Sequence, residues 1–288
     1  MPLGDYGLFK KWSGRPRSWG AKGEAQAWFG GQVVDGLCEV LEEHLTATGG
    51  RSAAIGCVPW LTSEAVIDRL AKLNSLCIVI DKGTENRGAV SRLMSEKYED
   101  DVDGYEGYMN GFPNAAVPGL AGIIPARDGE PVVVGPYTPR EVVEHVIDPV
   151  RILGWQGGKK NNPILHAKML VLGRLDWKDY GHPDYGTDER VEFTPMVAWW
   201  GSANWTEGSR NHLEVGTISR DAQLLSTATD FVADVIAFSE PLTSDCAGPE
   251  PNMLGYTFDD AAMWEASENQ RIAHEEWEAE HEAEGDAD

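Results

Sequence analysis

Cysteine is scarce: the chain has four, Cys38, Cys57, Cys77 and Cys246, widely spread and with no C-x-x-C pair. That spacing excludes a disulfide framework and a cysteine zinc site, and it fits a reducing compartment. No apolar run approaches the ~20 residues of a membrane span. The N-terminal stretch has basic residues but no apolar segment behind them, so it does not read as a secretory signal, and a cytoplasmic location is expected. Basic residues are also few, 24 Lys and Arg against 47 Asp and Glu, giving a formal net charge of −23. Such a balance argues against a broad polyanion-binding surface.

The charge is uneven, however. Residues 259–288 hold twelve acids and one arginine, whereas residues 1–30 hold five basic residues against two acids. A local pattern, rather than the total, decides what the surface attracts. With 42% apolar and 25% charged residues among 288, the chain has the composition of a folded protein long enough to bury a core without staples.

Hydrophobic periodicity gives the elements. Val33, Val34, Leu37, Val40, Leu41 and Leu45 recur at helical spacing and predict a helix over 32–46, ending before Gly49-Gly50. Residues 53–58 and the LCIVI run at 76–80 read as buried strands, with a helix beginning at Thr62-Ser63-Glu64 between them. Ala89, Val90, Leu93 and Met94 suggest a further helix. Residues 98–131 are rich in Gly, Pro and acid and read as an irregular insertion. A short strand at 132–134 is followed by a capping box at Thr138-Pro139-Arg140-Glu141, which predicts a helix burying Val142, Val143, Val146 and Ile147. Strands are expected at 150–153, 164–172, 195–200 and 214–219, and Asp221 caps a helix with an apolar stripe from Leu224 to Ile236. Alternating strands and helices imply a sheet covered on both faces.

Two stretches carry chemistry. In ILHAKMLVL, alternation along a strand puts His166 and Lys168 on one face with Ile164, Leu170 and Leu172. A basic pair within so apolar a strand is costly to bury without a partner, which predicts an anion there. In WWGSANWT, Gly201 allows a turn or a close approach, and Ser202 and Asn204 present a hydroxyl and an amide two residues apart. Asn211-His212-Leu213-Glu214 follows, with Glu214 entering the next strand.

These residues resemble the phospholipase D superfamily, whose motif runs H-x-K-x-x-x-x-D and then G-S-x-N. Here it reads His166-Ala167-Lys168 and Gly201-Ser202-Ala203-Asn204, with Glu214 where single-motif members carry a glutamate. The resemblance covers about 50–240. It implies an α/β fold with a phospholipase-D-like mixed, mainly parallel sheet sandwiched between helices, one domain with insertions. The domain would span 31–248, with insertions at about 98–131 and 174–194, an N-terminal arm at 1–30 and an acidic tail at 249–288. Two departures stand out. The Asp position of the motif is Gly173, with Asp176 or Asp179 as possible substitutes, and 35 positions separate His166 from Gly201. The extra segment, about 174–194, would lengthen the hairpin between the motif strands and sit near the site.

The resemblance further implies a metal-independent phosphodiesterase with no cofactor. His166 attacks phosphorus, and Lys168 and Asn204 hold the non-bridging oxygens. Ser202 belongs to the same catalytic set, and Glu214 fixes a histidine's tautomer. A second histidine serves the leaving group and then water. Only one motif copy occurs, so a homodimer supplies the twin His166. The substrate expected first is nucleic acid, DNA or RNA, as in bacterial endonucleases of this kind. The alternatives are a lipid phosphodiesterase or transphosphatidylase, for which no basic amphipathic helix speaks, and an inactive scaffold in a larger assembly.

Around this set, Gly201, Lys159, Lys160 and Trp205 are candidate substrate contacts. Of Trp199 and Trp200, one is expected to face the core and the other can stack on a base. His212 would point away from Glu214 if both lay in a strand, and it reads as non-catalytic. His44 and His145 read as surface or capping groups, and His182 as part of a solvated loop. The acidic tail reads as solvated. A sharper expectation is that it lies over its own cleft or meets a protein partner.

Overall fold

The computed structural model describes residues 17–19, 24–83, 87–94, 111–126, 130–136, 145–156, 165–181 and 189–285. Nine strands form the central sheet: β1 (Arg17–Trp19), β2 (Ala25–Phe29), β3 (Ser52–Val58), β4 (Ser75–Asp81), β5 (Val150–Leu153), β6 (Met169–Asp179), β7 (Glu189–Gly201), β8 (Val215–Ser219) and β9 (Glu240–Pro241). Their spatial order is β1-β2-β8-β7-β6-β3-β4-β5-β9. The mixed α/β class is as expected. The parallel part is smaller than expected: β3–β4 and β4–β5 pair in parallel, and the six other neighbouring pairs are antiparallel.

Both faces of the sheet are covered. Helix α1 (Val33–Thr48) and helix α2 (Glu64–Leu70) lie on one face, where Leu37, Leu41, Val66 and Ile67 meet Ala54, Ile78, Leu170, Leu172 and Trp199. Helix α3 (Ala222–Ala237) covers the other, where Leu225, Val232 and Ile236 meet Ile55, Cys57, Val79 and Val171. Alternate residues of β3 and β4 enter opposite cores. This explains why AAIGCV and LCIVI are apolar throughout rather than at every second position.

The α3 start follows the sequence reading, since Asp221 accepts a hydrogen bond from the Leu224 amide at 2.9 Å. Other segments differ. Arg87–Met94 is a 3-10 stretch. Of the helix expected after Thr138, residues 137–144 lie outside the described residues, and Val146–Ile147 form a short antiparallel strand with Phe112–Pro113. Ile147 is thereby fully buried on the α3 side.

The motif strand begins later and runs further than 164–172. Arg174–Asp179 pairs with residues 189–194 in a long antiparallel hairpin. The alternation explains it: Leu175 packs with buried Val191 and Phe193 on the α3 core, while Arg174, Asp176 and Lys178 take the opposite face. At roughly 3.3 Å per residue, Asp179 at the end of β6 lies about 35 Å from Lys168. The described part of the extra segment, 174–179 and 189–194, therefore runs away from the motif toward the opposite end of the sheet.

Two buried charge groups tie the segment after α3 to the sheet edge. Lys82 is buried against the Glu240 carboxylate at 2.6 Å and also donates to the Gly248 carbonyl. Burial pushes the Glu240 carboxyl up, but hydrogen bonds from Lys82, Ser244 and the Glu250 amide outweigh it and hold it below the ordinary range. Arg151 is buried with Ser239 and Asn252. The chain then pairs Met253–Gly255 with Ile123–Pro125 and Thr257–Phe258 with Val133–Val134. Residues 249–258 are thus woven onto the insertion, and helix α4 (Asp260–Gly285) follows. No helix among the described residues is long and apolar enough to cross a membrane.

Candidate active site

The long hairpin brings the two motifs together. Met169 of β6 pairs with Trp200 of β7, and one step further the Gly201 amide donates to the Lys168 carbonyl at 3.2 Å. A separation of 33 positions in sequence, from Lys168 to Gly201, is closed by this backbone hydrogen bond. The site stands at the carboxyl ends of the parallel strands β3 and β4, where helix connections leave side chains free.

Gly201 is required by a close approach. A Cβ there would lie 2.2 Å from the Val215 carbonyl oxygen. The next residues use that approach. The Ser202 amide donates to the Val215 carbonyl at 2.9 Å, and the Val215 amide donates to Ser202 Oγ at 3.0 Å. Ser202 Oγ in turn donates to the Glu214 carboxylate. Glu214 also lies 3.8 Å from His212 Nδ1.

The histidine that Glu214 meets is therefore His212, which faces the carboxylate rather than pointing away from it. The reason is local: β8 begins at Val215, so strand alternation does not govern residues 212–214. The His212 side chain is 67% exposed. Among the described residues the exposed His166 ring has no hydrogen-bond partner.

Lys168 is 6% exposed, and its ammonium donates to the His166 carbonyl at 2.8 Å. It forms no ion pair with a carboxylate among the described residues. Burial pulls its pKa down, and the charge of Glu214 offsets part of that. Asn204 is half-buried, and its Oδ1 is buried without a hydrogen-bond partner among the described residues. A buried ammonium held by one carbonyl is a group an anion would satisfy, and the amino end of the Asn204 carboxamide can donate to the same anion, whereas its orphaned Oδ1 needs a donor.

His166 and Lys168 lie just before β6, whose pairing with β3 begins at Met169 and Cys57. The Leu165 amide donates to the Asp81 carboxylate at 3.2 Å. Asp81 also accepts from the Gly83 amide at 2.8 Å. Burial pushes its carboxyl up, and these two amides offset part of the rise. Asp81 was missed as a site residue; its signal was the acid that closes the LCIVI strand. Trp60 was missed as well. Its carbonyl accepts from the Trp205 amide at 3.0 Å, so its backbone lies beside the residue following Asn204.

Other expected contacts are placed elsewhere. Trp205 is 1% exposed and belongs to the α1–α2 core, because Leu61 pairs with it and draws it inward. It cannot touch a substrate without leaving that core. Trp199 is buried against Trp28 at a centroid distance of 5.2 Å, and Trp200 is half-buried. Lys159, Lys160 and His182 lie outside the described residues. His44 is buried rather than superficial, and burial pulls its pKa down.

Gly173, at the motif's Asp position, has no room for a side chain. It follows a register shift in β6, and a Cβ would meet the Thr194 carbonyl oxygen at 2.4 Å and the Phe193 ring at 2.6 Å. Neither Asp176 nor Asp179 substitutes. Asp176 accepts from Arg51, Arg174 and Thr194 far along the hairpin, and Asp179 ends β6 beyond it.

No protein-family model matches the chain, and no curated protein matches it. Among solved structures, it is similar to NucT from Helicobacter pylori, at 11% identity and a TM-score of 0.37, over 81% of this chain and 98% of that one. It is also similar to Nuc from Salmonella typhimurium, a phospholipase D family member, at 11% identity and a TM-score of 0.39, over 75% of this chain and 97% of that one. The likeness to both is one of fold alone.

Proposed function

We propose that this chain is a phosphodiesterase of the phospholipase D type that cleaves nucleic acid through a phosphohistidine. The observation that carries the reading is the buried Lys168 ammonium. It has no carboxylate partner among the described residues and stands one backbone hydrogen bond from the Gly201–Asn204 loop. A cation kept in that state favours a substrate anion, and phosphate fits a site offering an ammonium, a carboxamide and an adjacent exposed imidazole.

The reaction runs in two displacements. A His166 ring nitrogen attacks phosphorus and the bond to the leaving oxygen breaks, while a second imidazole delivers a proton to that oxygen. The same imidazole then takes a proton from water, which attacks phosphorus and releases His166. Lys168 and Asn204 stabilise the charge that builds on the non-bridging oxygens. Ser202 holds Glu214 in place, and Glu214 moderates the field at Lys168. The second imidazole is the His166 of a second copy, brought in by a two-fold dimer at this end of the sheet. The chain acts in the cytoplasm and needs neither metal nor cofactor.

The test compares the wild type with His166→Ala on single- and double-stranded DNA, RNA and phosphatidylcholine vesicles, with EDTA present. Nucleic-acid cleavage that falls by on the order of 10³-fold or more in the variant, together with a covalent phosphoenzyme on acid quench, is the expected result. Turnover of lipid alone, or of no substrate by a folded protein, overturns the reading.

A further inference from the structure

Trp60 is an exposed aromatic residue whose backbone lies beside this site, and nothing in the motif chemistry uses it. It lies between β3 and α2, in a loop held to the rest of the molecule by backbone hydrogen bonds. The Asp81 amide donates to the Pro59 carbonyl at 3.2 Å, and the Trp205 amide donates to the Trp60 carbonyl at 3.0 Å. The Thr62 and Ser63 amides both donate to the Trp205 carbonyl, at 3.0 and 2.9 Å. Ser63 Oγ donates to Glu207 in the segment that follows the G-S-x-N loop. Around Trp60, Pro59, Leu61, Ser63 and Trp205 are all buried. Trp60 itself is 51% exposed.

A solitary exposed apolar residue needs no explanation in general. This one is distinguished by position and stiffness. Its backbone is bonded to the residue after Asn204, and Asp81, bonded to its neighbour Pro59, also holds the Leu165 amide just before His166. The loop is fixed from both motif segments, so a ligand that meets the indole finds little backbone freedom left to lose. An indole has a face that any base can stack on.

We infer that Trp60 is a stacking platform for a nucleobase next to the scissile phosphate, and that it favours unpaired strands, whose bases are free to leave a helical stack. This inference rests on the nucleic-acid reading of the site. It adds a substrate preference, namely single-stranded over double-stranded nucleic acid. Trp60 binds and positions; the chemistry remains with His166, Lys168 and Asn204.

The experiment measures kcat and KM for wild type, Trp60→Ala and Trp60→Phe on a single-stranded oligonucleotide, on its duplex, and on the same single strand with abasic residues flanking the cleavage position. Thermal melting of each variant checks the fold. The expected result is a KM raised about tenfold by Trp60→Ala on the single strand, kcat little changed, and most of the loss recovered by Trp60→Phe. On the abasic strand, wild type and Trp60→Ala have equal KM. Cleavage by the wild type with KM unchanged in Trp60→Ala, or an equal loss on normal and abasic strands, overturns the stacking role and leaves the nuclease reading standing. A wild type that cleaves no nucleic acid overturns both.

Discussion

The far part of the β6–β7 hairpin and the residues that flank its near end treat charge in opposite ways. At the far end Asp176 is enclosed by Arg51, Arg174 and Thr194, and Glu192 takes Lys178 and Tyr180. At the near end Lys168 has a single carbonyl, and Asn204 keeps one end of its carboxamide unsatisfied. Buried polar groups are nearly always paired in native proteins. The near end therefore holds a cost that the far end does not, and under the proposed function a bound substrate offsets it at Lys168. Net charge gave no hint of this, since the local balance of partners matters more than the total.

Substitutions along the hairpin can sharpen or break the contrast. Lys168→Met should have the largest effect on activity, a fall of ~10²–10³-fold in kcat, because a charge that stabilises the transition state is lost. Its melting temperature should hold or rise, because a poorly paired buried ammonium is replaced by an apolar chain. A large loss of stability with unchanged turnover would place Lys168 in the scaffold instead.

Gly173→Asp introduces the acid that the phospholipase D motif carries at this position. The structure predicts no gain in activity and a loss of ~1–3 kcal/mol in urea unfolding, because the new Cβ would press on the Thr194 carbonyl and the Phe193 ring. A stable and more active variant would show that the missing acid, and not the packing, is what limits the site.

Asp176→Asn at the far end should cost about 1 kcal/mol and leave kcat/KM unchanged, since Arg51 and Arg174 are largely solvated. Any marked kinetic effect would mean that the two ends communicate.

The smallest effect is one of pH. Burial holds His44 neutral in the folded state, with its pKa below the ordinary 6.5. The unfolded chain takes up a proton first as pH falls through 6.5, so the contribution is complete above that value and is lost below it. Melting temperature should drop between pH 7.5 and 5.5 in the wild type and drop less in His44→Leu. Parallel curves for the two would remove His44 as a source of acid sensitivity.

Much of this architecture was legible because burial leaves period and composition in the chain. The buried strands around Ile55 and Ile78, the α1 stripe and the Asp221 cap could all be read directly. The lengthened hairpin was also written in the sequence, in the alternation of Leu175 and Trp177 with charged neighbours, but that it runs away from the site was not. The parallel fraction of the sheet could not be read, since strand direction depends on connections that periodicity does not record. His212 facing Glu214 and Trp205 turning inward depend on where β8 starts and on the Leu61 pairing, which are properties of neighbours distant in sequence.

The amino-acid order by itself determined which groups are available: an imidazole and an ammonium two residues apart, a glycine-serine-asparagine turn, and a downstream glutamate. It determined the apolar strands that carry them, because alternation and burial are local properties of the chain. Only the tertiary structure decided that β6 and β7 pair and bring His166 and Gly201, 35 positions apart, to one end of the sheet, that Asp81 and the Trp60 loop stand beside them, and that Lys168 is buried without a carboxylate partner among the described residues. Those outcomes depend on which backbones pair across the sheet and on what water is excluded from, and neither is a property of any single stretch of sequence.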